Sequence, residues 1–126
     1  MRCCAKNEEL PQRSARNGRY LLDRLQPLRA HPTVGDVRGR GLMCAVELVK
    51  DKATKEPFGW GPAATAHPYG RLVAATLMGA RAADARRHGR AALLCPPLVI
   101  GREEIDRMVG ILDESLTLAE REFGFV

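Results

Sequence analysis

Aromatic side chains are scarce in this chain. Phenylalanine, tyrosine and tryptophan make up 5% of its 126 residues, so aliphatic side chains must fill any core. There is no run of about 18 consecutive apolar residues, the minimum for a helix that crosses a bilayer. The first ten residues, MRCCAKNEEL, lack the apolar stretch of a signal peptide. A cytoplasmic location is the expectation. The cysteines Cys3, Cys4, Cys44 and Cys95 match no zinc-ligand spacing, and the adjacent Cys3–Cys4 pair is not a CxxC redox motif. Cys44 and Cys95 fall in apolar runs and are expected to be buried small hydrophobes. His31, His67 and His88 lie far apart, which gives no nucleophile–base pair and no metal set; surface or capping roles are expected. No glycine-rich phosphate loop precedes a helix, because GRG at Gly39–Gly41 lies between two extended runs.

What is present is ordinary for a folded protein: 45% hydrophobic and 28% charged residues. The length suits one domain, large enough to bury a core but with little stability to spare. The net charge is +5, and most of the cations are arginine. That balance invites a basic binding module, with Arg81, Arg86, Arg87 and Arg90 on nucleic acid. Too few aromatics are available for base stacking, and no nucleic-acid motif is visible, so this stands as the alternative.

Residues 1–12 read as a poorly specified leader and residues 13–126 as the domain. From Arg13, the positions Ala15, Tyr20 and Leu25 recur at roughly helical spacing; Gly18 weakens that helix, Pro27 kinks or ends it, and His31-Pro32 closes it. Val34–Val37 is a short strand punctuated by Gly39 and Gly41, whose freedom allows a bend or bulge. In Leu42–Val49, the residues Leu42, Cys44, Val46 and Leu48 alternate with Met43, Ala45, Glu47 and Val49, the period of a strand. Both of its faces are mostly apolar, which predicts cover by helices or another domain. Residues 50–55 form a charged turn and 58–70 a loop. A helix follows from Arg71 through Met78, with an ambiguous continuation into ARAADARRHGR. Ala91–Cys95 is a strand stopped by Pro96-Pro97. Gly101 caps the best amphipathic helix, whose apolar face is Ile105, Met108, Val109, Leu112, Leu116 and Ala119 and whose end is Gly124. The order helix, strand, strand, helix, strand, helix predicts an α+β fold: a small, mainly antiparallel sheet with helices on one face.

Two segments carry more than periodicity. One is His31-Pro32 with VGDVRGRGLMCAVELVKDKATKEPF, where Val34, Gly35, Asp36, Val37, Arg38, Gly39, Gly41, Leu42, Glu47, Leu48, Asp51, Lys52, Thr54, Pro57 and Phe58 stand in order. The other is Pro96-Pro97-Leu98-Val99-Ile100 with Glu103, Glu104, Ile105 and Asp106. Together they resemble the C-terminal small domain of class III aminotransferases, the pyridoxal-phosphate enzymes that include the ω-transaminases, over roughly Arg13 to Glu120. The resemblance implies the C-terminal domain of a fold-type I enzyme that moves an amino group from an amine or amino acid to a keto acid or aldehyde. Its partner would be a large cofactor-binding domain or a second subunit, the family being homodimeric. The small domain would close the active site and help recognise substrate.

In the family an arginine ahead of the proline pair grips the substrate carboxylate by paired hydrogen bonds. Counting back from Pro96, Arg86 is the nearest match and Arg87 the next. Gly89 fits the family's glycine, but Arg90 replaces the acidic residue that follows it. Transamination also needs a lysine to hold pyridoxal phosphate as a Schiff base, a carboxylate at its pyridinium nitrogen and donors for its phosphate. The resemblance places these upstream. Lys50, Lys52 and Lys55 lie in or beside the charged turn and Lys6 in the leader, none in an apolar setting. No catalytic, cofactor-binding or metal-binding residue is therefore expected here, and the chain alone is expected to be inactive.

Overall fold

The computed structural model describes residues 9–58, 67–69, 71–73, 85–88 and 91–125. Helix α1 spans Leu10–Leu25, with Pro11 in its first turn, where a missing N–H costs nothing. Residues 10–12 of the expected leader are thus helical. Gly18, Leu21 and Leu25 share its buried face. At Pro27 the chain tightens into a 3₁₀ segment, Gln26–Ala30, and does not simply end.

Four strands follow, β1 (Val34–Arg40), β2 (Met43–Leu48), β3 (Ala85–His88) and β4 (Ala91–Leu94), and then helix α2 (Arg102–Glu122). They form one antiparallel sheet in the order β1-β2-β4-β3. The α+β architecture is as predicted, with one strand more than expected. Strand β3, Ala85–His88, lies within the segment ARAADARRHGR, read as an ambiguous helical continuation. Alanine and arginine favour helix intrinsically, but pairing with the free edge of β4 satisfies a row of backbone groups that helix formation would leave open. The helix expected from Arg71 is described only through Val73, and Trp60 lies outside the described residues.

The phase of β1 comes from an irregularity at Gly35. Val34 pairs with Leu48 and Asp36 with Glu47, so two residues of β1 are spent on one of β2. This bulge lets Val34 and Val37, three apart, both enter the core while Asp36 turns to the other face. The bulge at Gly35 was not expected, whereas the bend expected at Gly39 and Gly41 is found at the turn that follows β1. A Cβ at Gly35 would stand 2.6 Å from Val49 Cγ1, so the bulge is closed tightly over that side chain. The β1–β2 connection is the two-residue loop Gly41-Leu42, with Gly41 at φ +56. Gly18 of α1 rests on the Gly41 backbone so closely that any Cβ there would collide with its carbonyl. The glycine expected to weaken the helix is what allows it to reach the hairpin.

One face of the sheet carries Val37, Cys44, Val46, Leu48, Ala92 and Leu94 into the core. There they meet Leu21 and Leu25 of α1 and Ile105, Met108, Leu112 and Leu116 of α2. Helix α2 starts at Gly101, whose N–H donates to Glu104 (3.5 Å). It stops where Gly124 turns to φ +76 and the Phe125 N–H returns to the Glu120 carbonyl (2.8 Å). The helices are pinned to one another by Asp106. Its Oδ1 accepts from Tyr20 Oη (2.6 Å) and pairs with Arg24 Nε (3.0 Å), while Arg102 lies over the Tyr20 ring. Arg13 and Asn17 donate to the carbonyls of Val99 and Ile100, fastening the segment after Pro97 to α1.

Candidate functional site: the outer face of the sheet

Among the described residues, α1 and α2 both pack on one side of the sheet, and the other face is partly exposed. Its register rows are Asp36, Glu47 and Ala91; then Arg38, Ala45 and Leu93; then Arg40 and Met43. The expected alternation of β2 holds, with Met43, Ala45 and Glu47 on this outward face, where Met43 is exposed and Ala45 buried. Arg38 crosses between strands: its Nη1 donates to Asp36 Oδ2 (3.2 Å) and Glu47 Oε2 (3.1 Å). Arg29 adds Nη2 to Asp36 Oδ1 (3.0 Å) and to the Val37 carbonyl (2.8 Å). Partial burial of Asp36 works to raise its pKa. Hydrogen bonds from Arg38, the Val37 backbone and Arg29 outweigh that and hold it below the usual carboxylate range. Arg38 is 56% exposed, so its pairs orient the ladder more than they stabilise it.

Arg86 and Arg87 lie on β3, at the edge of this sheet. Arg86 pairs in register with half-buried Leu93 and Arg87 with buried Ala92. The register position of Arg86 therefore continues the outer row Arg38–Ala45–Leu93, whereas that of Arg87 continues the core row Val37–Val46–Ala92. Arg81, Gly89 and Arg90 lie outside the described residues. Of the four arginines of the nucleic-acid alternative, Arg86 and Arg87 are described, and both are in strand β3.

Two further expectations are corrected. Cys95 is exposed, because the strand ends at Leu94 and the proline pair turns the chain outward; Cys44 is buried as expected. Burial pushes the Cys44 thiol up to about 11, with Cys95 adding to the effect. His31, expected at the surface or in a cap, is instead held between Asp113 and Glu120. No local signal in HPT could have shown this, since both carboxylates are more than 80 residues away. His67 packs at a tilt against Phe58, at the edge of an open cavity of about 420 Å³ shared with Phe123 and Phe125.

Among the described residues no three His, Cys, Asp or Glu groups are placed to hold a metal. No helix there is long and apolar enough to cross a membrane. The described lysines do not fit pyridoxal phosphate either. Lys50, Lys52 and Lys55 are all exposed, Lys52 spends its ammonium on the carbonyls of Arg29 and His31, and Lys55 on that of Gly35. Lys6 lies outside the described residues.

Comparison with known proteins matches this architecture to a known family. The family model for class III aminotransferases matches residues 3–116. The taurine–pyruvate aminotransferase of Bilophila wadsworthia is 37% identical over 120 residues, covering 94% of this chain and 26% of that protein. The isoleucine 2-epimerase of Lentilactobacillus buchneri is 38% identical over 114 residues, 90% of this chain and 24% of that protein. The ω-transaminase from Pseudomonas jessenii, solved in complex with PMP, superposes with a TM-score of 0.83 at 30% identity, over 96% of this chain and 25% of that one. The chain belongs to the class III aminotransferases, a pyridoxal-phosphate-dependent family. It spans about a quarter of the length of the relatives it matches.

Proposed function

We propose that this chain is the C-terminal, substrate-recognising part of a class III aminotransferase and works only with the rest of such an enzyme. That remainder is a large pyridoxal-phosphate-binding portion, in the same polypeptide or in a partner chain. The observation that carries this reading is the lysine set: the described lysines are exposed or spent on carbonyls, and the chain spans a quarter of its relatives. A Schiff-base lysine must instead be desolvated beside the cofactor so that its amine is free to react.

The outer sheet face is the surface that meets the remainder. Among the described residues neither long helix packs on it, it carries exposed Met43 and half-buried Leu93 among its charges, and Arg38 ties Asp36 to Glu47 across its strands. In this reading Arg86, whose register position lies on that face, grips the carboxylate of the amino donor or keto acid; Arg87 is the second choice. The chain itself supplies no catalytic group. Its contribution is to close the site and to orient substrate by paired charged hydrogen bonds.

The test compares the chain alone with a chimera in which it replaces the equivalent quarter of the taurine–pyruvate aminotransferase. Alone, it should develop no visible absorbance with pyridoxal phosphate and no transaminase activity. The chimera should show both, and Arg86→Ala in it should lower kcat/KM by about 10- to 100-fold, the worth of a charged hydrogen-bond pair. Cofactor bound by the chain alone would overturn the reading.

A further inference from the structure

A second set of titratable groups lies on the helical side of the sheet, away from the outer face. Glu120 of α2 is 2% exposed, yet it is surrounded by donors. Its Oε2 faces His31 Nδ1 at 2.8 Å, and its Oε1 accepts from Thr33 Oγ1 at 2.5 Å and from the Thr33 N–H at 3.4 Å. Thr33 Oγ1 in turn meets the Tyr69 hydroxyl at 2.6 Å. Thr33 and Tyr69 are both fully buried. On its far side, His31 Nε2 faces Asp113 Oδ1 at 2.6 Å. From the charged turn, Lys52 reaches the His31 carbonyl (3.5 Å).

The two ring nitrogens of His31 thus each face a carboxylate. A neutral imidazole has one N–H and one lone pair, so it can satisfy only one of the two; the imidazolium, with two N–H donors, satisfies both. Once Tyr69 donates to Thr33 and Thr33 to Glu120, that chain has no spare proton to offer. We propose that His31 is a proton-operated latch: as an imidazolium it ties the Asp113–Glu120 stretch of α2 to the start of β1, and on losing a proton it lets that end of the helix loosen. The device does not depend on the aminotransferase reading. Its output is the mobility of the end of α2, which carries Phe123 and Phe125 over Phe58 and Tyr69.

Burial of His31 works against its charge, but the hydrogen bonds to Asp113 and Glu120 outweigh this and raise it above its ordinary pKa. A group raised in the folded state contributes fully below its unfolded pKa, about 6.5 for histidine, and its contribution is lost as the pH rises through the folded value.

The experiment is an NMR titration of the histidine rings of the full chain, together with urea unfolding of the chain and its His31→Gln variant from about pH 6 to about pH 9. Both nitrogens of His31 should be protonated at neutral pH, and the ring should titrate above the ordinary histidine value. The unfolding constant of the chain should rise with pH while that of His31→Gln stays flatter, so the ratio between them shrinks. Hydrogen exchange over residues 113–125 should quicken in step with the ring titration. Should His31→Gln fail to fold, the titration of the unaltered chain decides, with Asp113→Asn, at the exposed end of the latch, expected to lower the His31 pKa. A singly protonated His31 at neutral pH, or a stability difference that does not change with pH, would overturn the proposal.

Discussion

The two faces of the sheet are made from the same four strands and follow opposite rules. The inner face is packed without slack: Val46 and Leu94 are fully buried, and the bulge at Gly35 brings a second valine of β1 inward. The outer face holds a charged ladder of Asp36, Arg38 and Glu47 beside an exposed methionine. The inner face is where stability resides, because burial of apolar area dominates folding free energy. The outer face contributes little to stability and is free to be shaped by what it must meet. Arg38 and the neighbouring Arg29 are held in place by Asp36 and Glu47, and that favours a preorganised recognition surface over a simple basic patch.

Substitutions should separate the two. The largest effect is expected at Gly18. Alanine in a helix normally stabilises, but here its Cβ would push α1 off the hairpin, so Gly18→Ala should cost about 3 kcal/mol in urea unfolding. Gly35→Ala, pressing on Val49, should cost about 2 kcal/mol by the same measurement. On the other face, Arg38→Ala should change stability by less than about 1 kcal/mol, since it removes only exposed ion pairs. A large loss from Arg38→Ala would dissolve the distinction between the faces. The smallest effect is chemical. At about pH 8 a thiol reagent followed by mass spectrometry should modify exposed Cys95 well before Cys44, whose thiol is buried and pushed up to about 11.

The inner face was largely legible in the sequence. The 3- and 4-residue spacings from Ile105 to Ala119 mark α2, and the alternation from Cys44 to Leu48 marks β2, because burial imposes those periods. The turn at Gly41 was legible from its glycines, while the bulge at Gly35 was not anticipated, although Val34 and Val37 cannot both face inward on a regular strand. Strand β3 was not legible: ARRH has neither alternation nor β-branched residues, and it is extended only because β4 offers an edge. The two residues separating it from β4, beginning with Gly89, were the one available hairpin signal. The candidate anchor Arg86 came from the family resemblance alone, and its position beside Leu93 came only with the register. The His31 cluster was invisible, because its partners converge from distant parts of the chain.

The central claim is that the outer face is the one that meets the rest of an aminotransferase. The most direct measurement is transaminase activity of the chimera carrying either Met43→Glu, on the outer face, or Leu118→Glu, an exposed position on α2. Neither change should unfold the domain, because both side chains are exposed. The account predicts that Met43→Glu abolishes activity and Leu118→Glu leaves it near that of the unaltered chimera. Full activity with Met43→Glu and none with Leu118→Glu would contradict it.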